Sequence, residues 1–215
     1  MSRTTQPTPT RAYGGIDAKQ READRKARLL AAALELFAKQ GYARTTIEGL
    51  CTESRVTARH FYQLFESREA LLHTLYDQLM QDLRIGVLQA MQKPGLGLEE
   101  QIALGVQAMV QHYLDDTRRA RVGVLEVVGV SPQMEARRRA AIHDMAGLME
   151  AYLDGLSARD ILPKRNHHLL SVALVGGVNE LLAEWLTVDN PPPVATLSQE
   201  LVHILKAIIR GAAIR

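Results

Sequence analysis

Two very short helices set side by side, each with a longer helix on its outer flank, constrain this chain more than any other feature of its sequence. In Thr45-Thr46-Ile47-Glu48 the first threonine can cap a helix start while Glu48, three residues on, reaches back, and the helix so opened ends near Ser54. Thr57 is placed to cap the next helix, which carries Phe61, Leu64 and Phe65 on one side; Ser67 caps a further start, with Glu69 in its first turn. Upstream, a helix pattern begins near Ala18, sets Leu29, Ala33, Leu36 and Phe37 on one face, and meets Gly41 as its stop. Downstream, Leu72, Leu75, Leu79 and Leu83 repeat at helical spacing until Lys93-Pro94-Gly95 interrupts them.

The remainder continues in the same period. Helices are expected at roughly 98–117, 119–130, 132–159, 166–188 and 196–212, separated by Ser131-Pro132, Leu162-Pro163 and Asp189-Asn190 with Pro191 to Pro193. No stretch alternates with a period of two between turn pairs, so the fold class is all-α with about nine helices. With 47% hydrophobic residues in 215, there is material for a real core. Cys51, the one cysteine, lies among Ile47 and Leu50 as a small hydrophobe, which suits a reducing compartment and no disulfide framework. The start, rich in Thr and Pro, has no apolar signal core, and no apolar run reaches the roughly 18 residues of a membrane span. The expected location is therefore cytoplasmic.

Three parts are expected: a flexible N-terminal arm over residues 1–17, a DNA-binding domain over 18–66, and a helical effector-binding and dimerisation domain over 67–215. Two short helices joined by a tight turn and braced on both sides form a helix-turn-helix, whose second helix is shaped for a major groove of double-stranded DNA. If Phe61, Leu64 and Phe65 pack inward, rotation by about 100° per residue points Arg59 and Gln63 outward, flanked by Ala58, His60 and Tyr62. That set contains no carboxylate. Arg59 can pair with a guanine edge and Gln63 with adenine, while Thr46, Tyr62 and Arg68 suit phosphate oxygens. Arg55 and Thr57, in the turn, complete the DNA-facing set. A net charge of +2 is mild, but through Met80 there are 12 Lys and Arg against 9 Asp and Glu. Arg3, Arg11 and Lys19 are expected to follow an adjacent minor groove.

The stretch LLAAALELFAKQGYARTTIEGLCTESRVTARHFYQLFESREALL, from Leu29 through Leu72, resembles the N-terminal domain of the TetR family of bacterial regulators. The likeness rests on the Leu-Phe after an Ala-rich turn, the Gly-Tyr and the Thr pair, the Val-Thr turn, the Tyr-x-x-Phe of the second short helix, and the Ser-Arg-Glu-x-Leu that follows. The resemblance implies a homodimer in which helices one to three bind DNA, helices four to seven enclose an effector pocket, and the last two pack across a two-fold axis. By position it also implies that Thr45 and Thr46 hold phosphate, that Ala58, Arg59, His60 and Tyr62 face the operator, and that Arg68 anchors the fourth helix to the backbone. Two positions depart from the family pattern. Arg55 stands where Gly is usual, at a cost of up to roughly 1 kcal/mol if it must turn left-handed, and Leu64 stands where many members have His.

Beyond Leu72 the reading rests on the chemistry of the residues alone. Leu169 to Leu186 is apolar nearly all round, which asks for burial on more than one side. Gly176 and Gly177 would let a partner backbone approach, and the last helix adds a stripe of Leu201, Ile204, Leu205 and Ile208; with Leu181 and Trp185 these form the expected dimer face. Six of the seven methionines lie between Met80 and Tyr152, and thioethers adapt to ligands of varied shape. The expected ligand-binding set is Leu83, Val87, Met109, His112, Tyr113, Glu126, His143 and Met149.

Catalytic, cofactor and metal signatures are missing. GxxxxGK[ST], GxSxG and HExxH do not occur, and Glu200-Leu201-Val202-His203 is one of the two such motifs a di-iron bundle needs. The reading is of a non-enzymatic, DNA-binding repressor released from its operator by a small apolar ligand, with the fourth helix as the lever. The alternatives are a ligand-independent activator or architectural DNA-binding protein, and an enzyme on a helical bundle.

Overall fold

The computed structural model describes residues 12–212, and every regular element in them is helical. In order these are α1 (Ala12–Gln40), α2 (Ile47–Ser54), α3 (Ala58–Leu64), α4 (Arg68–Met91), α5 (Leu98–Leu114), α6 (Thr117–Ala120), a π turn (Arg121–Glu126), α7 (Pro132–Ala158), α8 (His168–Thr187) and α9 (Val194–Ala212). The starts at Thr57 and Ser67 fall where the hydroxyls predicted them, since Thr57 accepts from His60 N–H and Ser67 from Ala70 N–H. Gly41 ends α1 in the left-handed region, at φ 88°, with its N–H bonded to Phe37 O at 3.0 Å.

Two boundaries differ from the sequence reading. The cap of α2 is Thr46, whose Oγ1 accepts from Gly49 N–H at 3.0 Å, because Thr45 is turned inward to close the end of α1. Thr45 Oγ1 donates to Gly41 O at 2.9 Å and accepts from Gln40 Nε2 at 3.2 Å. α1 already begins at Ala12, so the part of the expected arm next to the domain, residues 12–17, is helical; Arg3 and Arg11 lie outside the described residues, and Lys19 is an exposed residue of α1.

Two apolar cores divide the molecule and meet along α4. The first joins Leu29, Ala33 and Phe37 of α1 to Leu50, Val56, Phe61 and Phe65 and to Leu71, Leu72, Leu75 and Tyr76 of α4. Val122, Val127 and Met134 close it from the C-terminal side. The second gathers Leu83 of α4, Val106 and Val110 of α5, Leu153 and Leu156 of α7, Leu174 and Leu182 of α8, and Leu201 and Leu205 of α9. Leu79 belongs to one core and Leu83, a turn further on, to the other. A single rigid helix therefore carries both.

The π turn is the second link. Gly123 lies there against the second core, where a Cβ would come into contact with Met80 Cε and Tyr113 Cε1 at 3.4 Å each. Three residues later, Glu126 Oε2 accepts from the backbone N–H of Tyr42 at 2.8 Å, in the loop between α1 and α2. Ion pairs reinforce the junction, from Glu35 of α1 to Arg118 of α6 at 2.7 Å and from Asp77 of α4 to Arg137 of α7 at 2.5 Å.

Candidate nucleic-acid interface and internal cavity

α3 is held from beneath and open above. Phe61 is fully buried and Phe65 nearly so, the two rings 5.9 Å apart, while Leu64 packs at the edge of the same core. Ala58, Arg59 and Gln63 are left exposed, His60 is half-buried with its Nδ1 at 2.9 Å from Thr57 Oγ1, and Tyr62 is 59% exposed. The outward face is thus the one the periodicity predicts: cationic, amide and phenolic groups without a carboxylate, able to read base edges and phosphates.

The turn before α3 is built on an expected irregularity. Arg55 adopts the left-handed conformation, φ 53° and ψ 40°, and its exposed side chain adds a positive charge beside α3. The adjoining carbonyls are clamped by a residue the sequence reading passed over, since Arg28 Nη1 of α1 donates to Ser54 O at 3.3 Å and Arg55 O at 3.4 Å. Thr46 is exposed at the mouth of α2, as a phosphate contact requires.

Two of the expected DNA contacts are internal instead. Thr45 is fully buried and its hydroxyl is occupied by Gly41 and Gln40, so it cannot reach a phosphate. Arg68 is half-buried, stacks 4.1 Å over the ring of Tyr42, and donates from Nη1 to Ala43 O and Thr45 O. The backbone it anchors is the protein's own: it ties the start of α4 to the α1–α2 loop and so fixes the orientation of the reader.

Beyond the reader, the second core borders a partly open cavity of about 600 Å³ among α4, α5, α7, α8 and α9. Leu83, Val87, Met109, Tyr113 and Met149 line it, as do Met80, Met91 and Met145. Five of the six methionines singled out thus face one space, and Met134 alone belongs to the first core, fully buried. Burial pushes the Tyr113 hydroxyl well above its ordinary range and that of Tyr76 up to about 12, so both stay neutral donors. Three expected ligand groups point elsewhere. Glu126 is turned to Tyr42, His143 is exposed and stacked on His168, and His112 lies on the flank of α5, half-buried, its pKa lowered chiefly by that burial. The reading missed Tyr152 and Gln101, which meet at the far end of the cavity.

The last two helices carry an apolar face with nothing over it. α8 is long and apolar enough to cross a membrane by length and composition, yet only 17% of that stretch is buried. Gly176 is half-buried and Gly177 open, with nothing within 4 Å of an added Cβ at either, and Leu181 and Ile204 are more than a third exposed. Trp185 is half-buried with its Nε1 donating to Pro192 O at 2.8 Å, and Ile208 is half-buried. Leu201 and Leu205 were expected here but are buried toward their own domain, Leu205 against the cavity. The outer face of α9 is carried by Ile204, with Ile208 at its edge, packed in part against the second core.

Comparison with known proteins agrees with this geometry. Residues 29–75 match the family model for bacterial regulatory proteins of the tetR family. Over 49 residues, 23% of this chain, the sequence is 41% identical to YerO, an HTH-type transcriptional regulator of Bacillus subtilis, a match that spans 17% of that relative's length. Among solved structures, the fatty acid degradation regulator FadR of Bacillus halodurans superposes with a TM-score of 0.78 at 16% identity, covering 89% of this chain and 97% of that one. FadR of Bacillus subtilis, solved in complex with stearoyl-CoA, gives 0.73 at 17% identity over 83% and 96%. A tetR-family regulatory protein of Rhodococcus RHA1 gives 0.69 at 18% over 89% and 98%. Residues 29–75 are therefore similar to the tetR family of bacterial regulatory proteins, and over most of its length the chain has the fold of these solved structures.

Proposed function

We propose that this protein binds operator DNA as a homodimer and is released from it by a small, largely apolar ligand, acting as a repressor. The observation that carries the reading is the continuity of α4. Its first turns, with Leu71 to Tyr76, pack under the DNA-reading helix, and Leu83 and Val87 further along the same helix form a wall of the cavity. A ligand that displaces that wall tilts a rod whose other end shares a core with α3, the helix that carries Arg59 and Gln63. Two such readers must sit roughly 34 to 36 Å apart to enter successive major grooves, so a modest tilt is enough to spoil the fit.

Dimerisation supplies the second reader. The open faces of α8 and α9, with Gly176, Gly177, Leu181, Ile204 and Ile208, are apolar and continuous enough for an isologous interface. DNA contact is assigned to Thr46, Arg55, Thr57, Ala58, Arg59, His60, Tyr62 and Gln63. FadR of Bacillus subtilis was solved with stearoyl-CoA, and a long acyl chain is the kind of group a cavity of this size and lining accepts.

The test is an operator found by footprinting upstream of the gene, followed by anisotropy titration with a long-chain acyl compound. Coupling of about 1 to 3 kcal/mol gives a 5- to 150-fold fall in operator affinity. The cavity-filled variant Met109→Trp should bind the same operator without responding. A confirmed occupant that leaves operator affinity unchanged would falsify release by ligand.

A further inference from the structure

The end of the cavity nearest the reader holds two hydroxyls in an otherwise apolar wall. Tyr76, Met80, Leu83 and Val87 follow one another along one face of α4, and Tyr113 reaches the same space from α5. Tyr76 and Tyr113 are only 2% and 5% exposed. Tyr113 Oη donates to Met80 Sδ, at 3.9 Å, and a thioether is a weak acceptor. Tyr76 Oη makes no hydrogen bond among the described residues. The two side chains are near enough that negative charge on Tyr76 would hold Tyr113 further in its neutral form.

Buried hydroxyls in native proteins nearly always have partners, and a pair so poorly served beside a cavity marks where an occupant supplies one. Burial is the chief cause that keeps both protonated, and the same burial penalises an anion brought beside them. Arg138 of α7 acts on Tyr76 from outside the cavity lining and is paired with Glu135 at 3.1 Å. A carbonyl oxygen suits such a place, because it has two lone pairs, no charge and no donor of its own to leave unpaired. The position also joins the two cores: Tyr76 belongs to the one beneath the reader, Tyr113 to the one around the cavity, and Met80 packs against both.

From this placement we infer that the ligand carries a neutral carbonyl oxygen, as a ketone, ester or lactone does, and that Tyr76 and Tyr113 are the residues that select it. The inference rests on the cavity being the ligand site, as proposed above. The apolar remainder of the ligand packs among Met109, Met145 and Met149, whose thioethers suit flat rings as well as chains. A hydrocarbon of the same shape would fill the space and leave both hydroxyls as they are. The carbonyl instead ties α4 to α5 where the two cores meet.

The experiment separates the carbonyl from the cavity. Full-length protein is titrated calorimetrically with benzophenone and with diphenylmethane, which differ only in a carbonyl against a methylene. Benzophenone should bind roughly tenfold more tightly, as hydrogen bonds from two neutral donors allow. Its carbonyl stretch in the infrared difference spectrum should lie at lower wavenumber than in hexane, the signature of an accepted hydrogen bond. In the double variant Tyr76→Phe with Tyr113→Phe the preference should be lost and the band should return to its hexane position, while diphenylmethane binds as before, which also shows that the variant is folded. A preference that survives in that variant would overturn the assignment to these tyrosines. Equal binding of the two probes by the unaltered protein would overturn the carbonyl inference and leave the cavity reading intact. Failure of both probes to bind would overturn both.

Discussion

The reader and the domain behind it use the same apolar residue types and reach opposite packing outcomes. Around α3, Phe37, Leu50, Phe61 and Leu72 are fully buried against one another, and the outer surface is polar. Around α5 and α7, flexible methionines ring a space of about 600 Å³, and the apolar surface of α8 is left open. A solid core fixes the direction of a side chain to within a fraction of an ångström, which base reading needs. A hollow one keeps low-cost rearrangement available, which a responsive site needs.

The sharpest way to break that contrast is Phe61→Ala. Truncating a fully buried aromatic in a solid core should cost about 3 to 5 kcal/mol, read from urea denaturation, and abolish DNA binding. A loss below about 1 kcal/mol would mean that the reader is as loosely filled as its neighbour. Next in size, Leu181→Lys places a charge on the open face of α8. If that face is covered by a second copy, an unpaired buried charge costs about 3 kcal/mol or more and light scattering should show a monomer; an unchanged dimer would place the contact elsewhere. Arg59→Ala should weaken operator binding by about 1 to 3 kcal/mol, or roughly 10- to 100-fold, with the melting temperature unchanged because the side chain is exposed.

The smallest effect concerns His112. Burial lowers its pKa, so the folded state prefers the neutral ring while the unfolded chain takes up a proton near pH ~6.5. The stability it contributes is present above that pH and is lost as pH falls through the lower folded value. His112→Gln should therefore flatten the decline in melting temperature between pH 7.5 and 5.5 by no more than about 3 °C. A steeper decline in the variant would reverse the sign of the assignment.

Much of the reader was legible because its signals are local. Caps, an Ala-rich amphipathic face and a Gly stop act within a few residues, and they placed α3 and its outward set correctly. Which of two adjacent threonines caps α2 was not legible, since the choice depends on Gln40 and the Gly41 carbonyl occupying Thr45. The same reason explains Arg68, whose partner Tyr42 is a stranger in sequence. In the hollow domain the helices were legible and their roll was not. Met109 and Tyr113, four apart, share the inward face of α5, and His112 is turned about 100° from Tyr113. On α9 the residues 201 and 205 face the domain, 204 faces out and 208 lies at the edge between, yet a continuous apolar stripe contains all four.

The π turn has a consequence for how insertions and deletions could be tolerated. Such a turn accommodates one residue more than an α-helix of the same rise, and here the surplus lies between a glycine against the cavity wall and a glutamate gripping the reader's loop. Excising one residue between Gly123 and Glu126 would remove that surplus and restore ordinary winding, with the segments on either side kept nearly in phase. The deletion is thus absorbed within the turn, drawing the glycine and the glutamate together while each half of the molecule keeps its own shape.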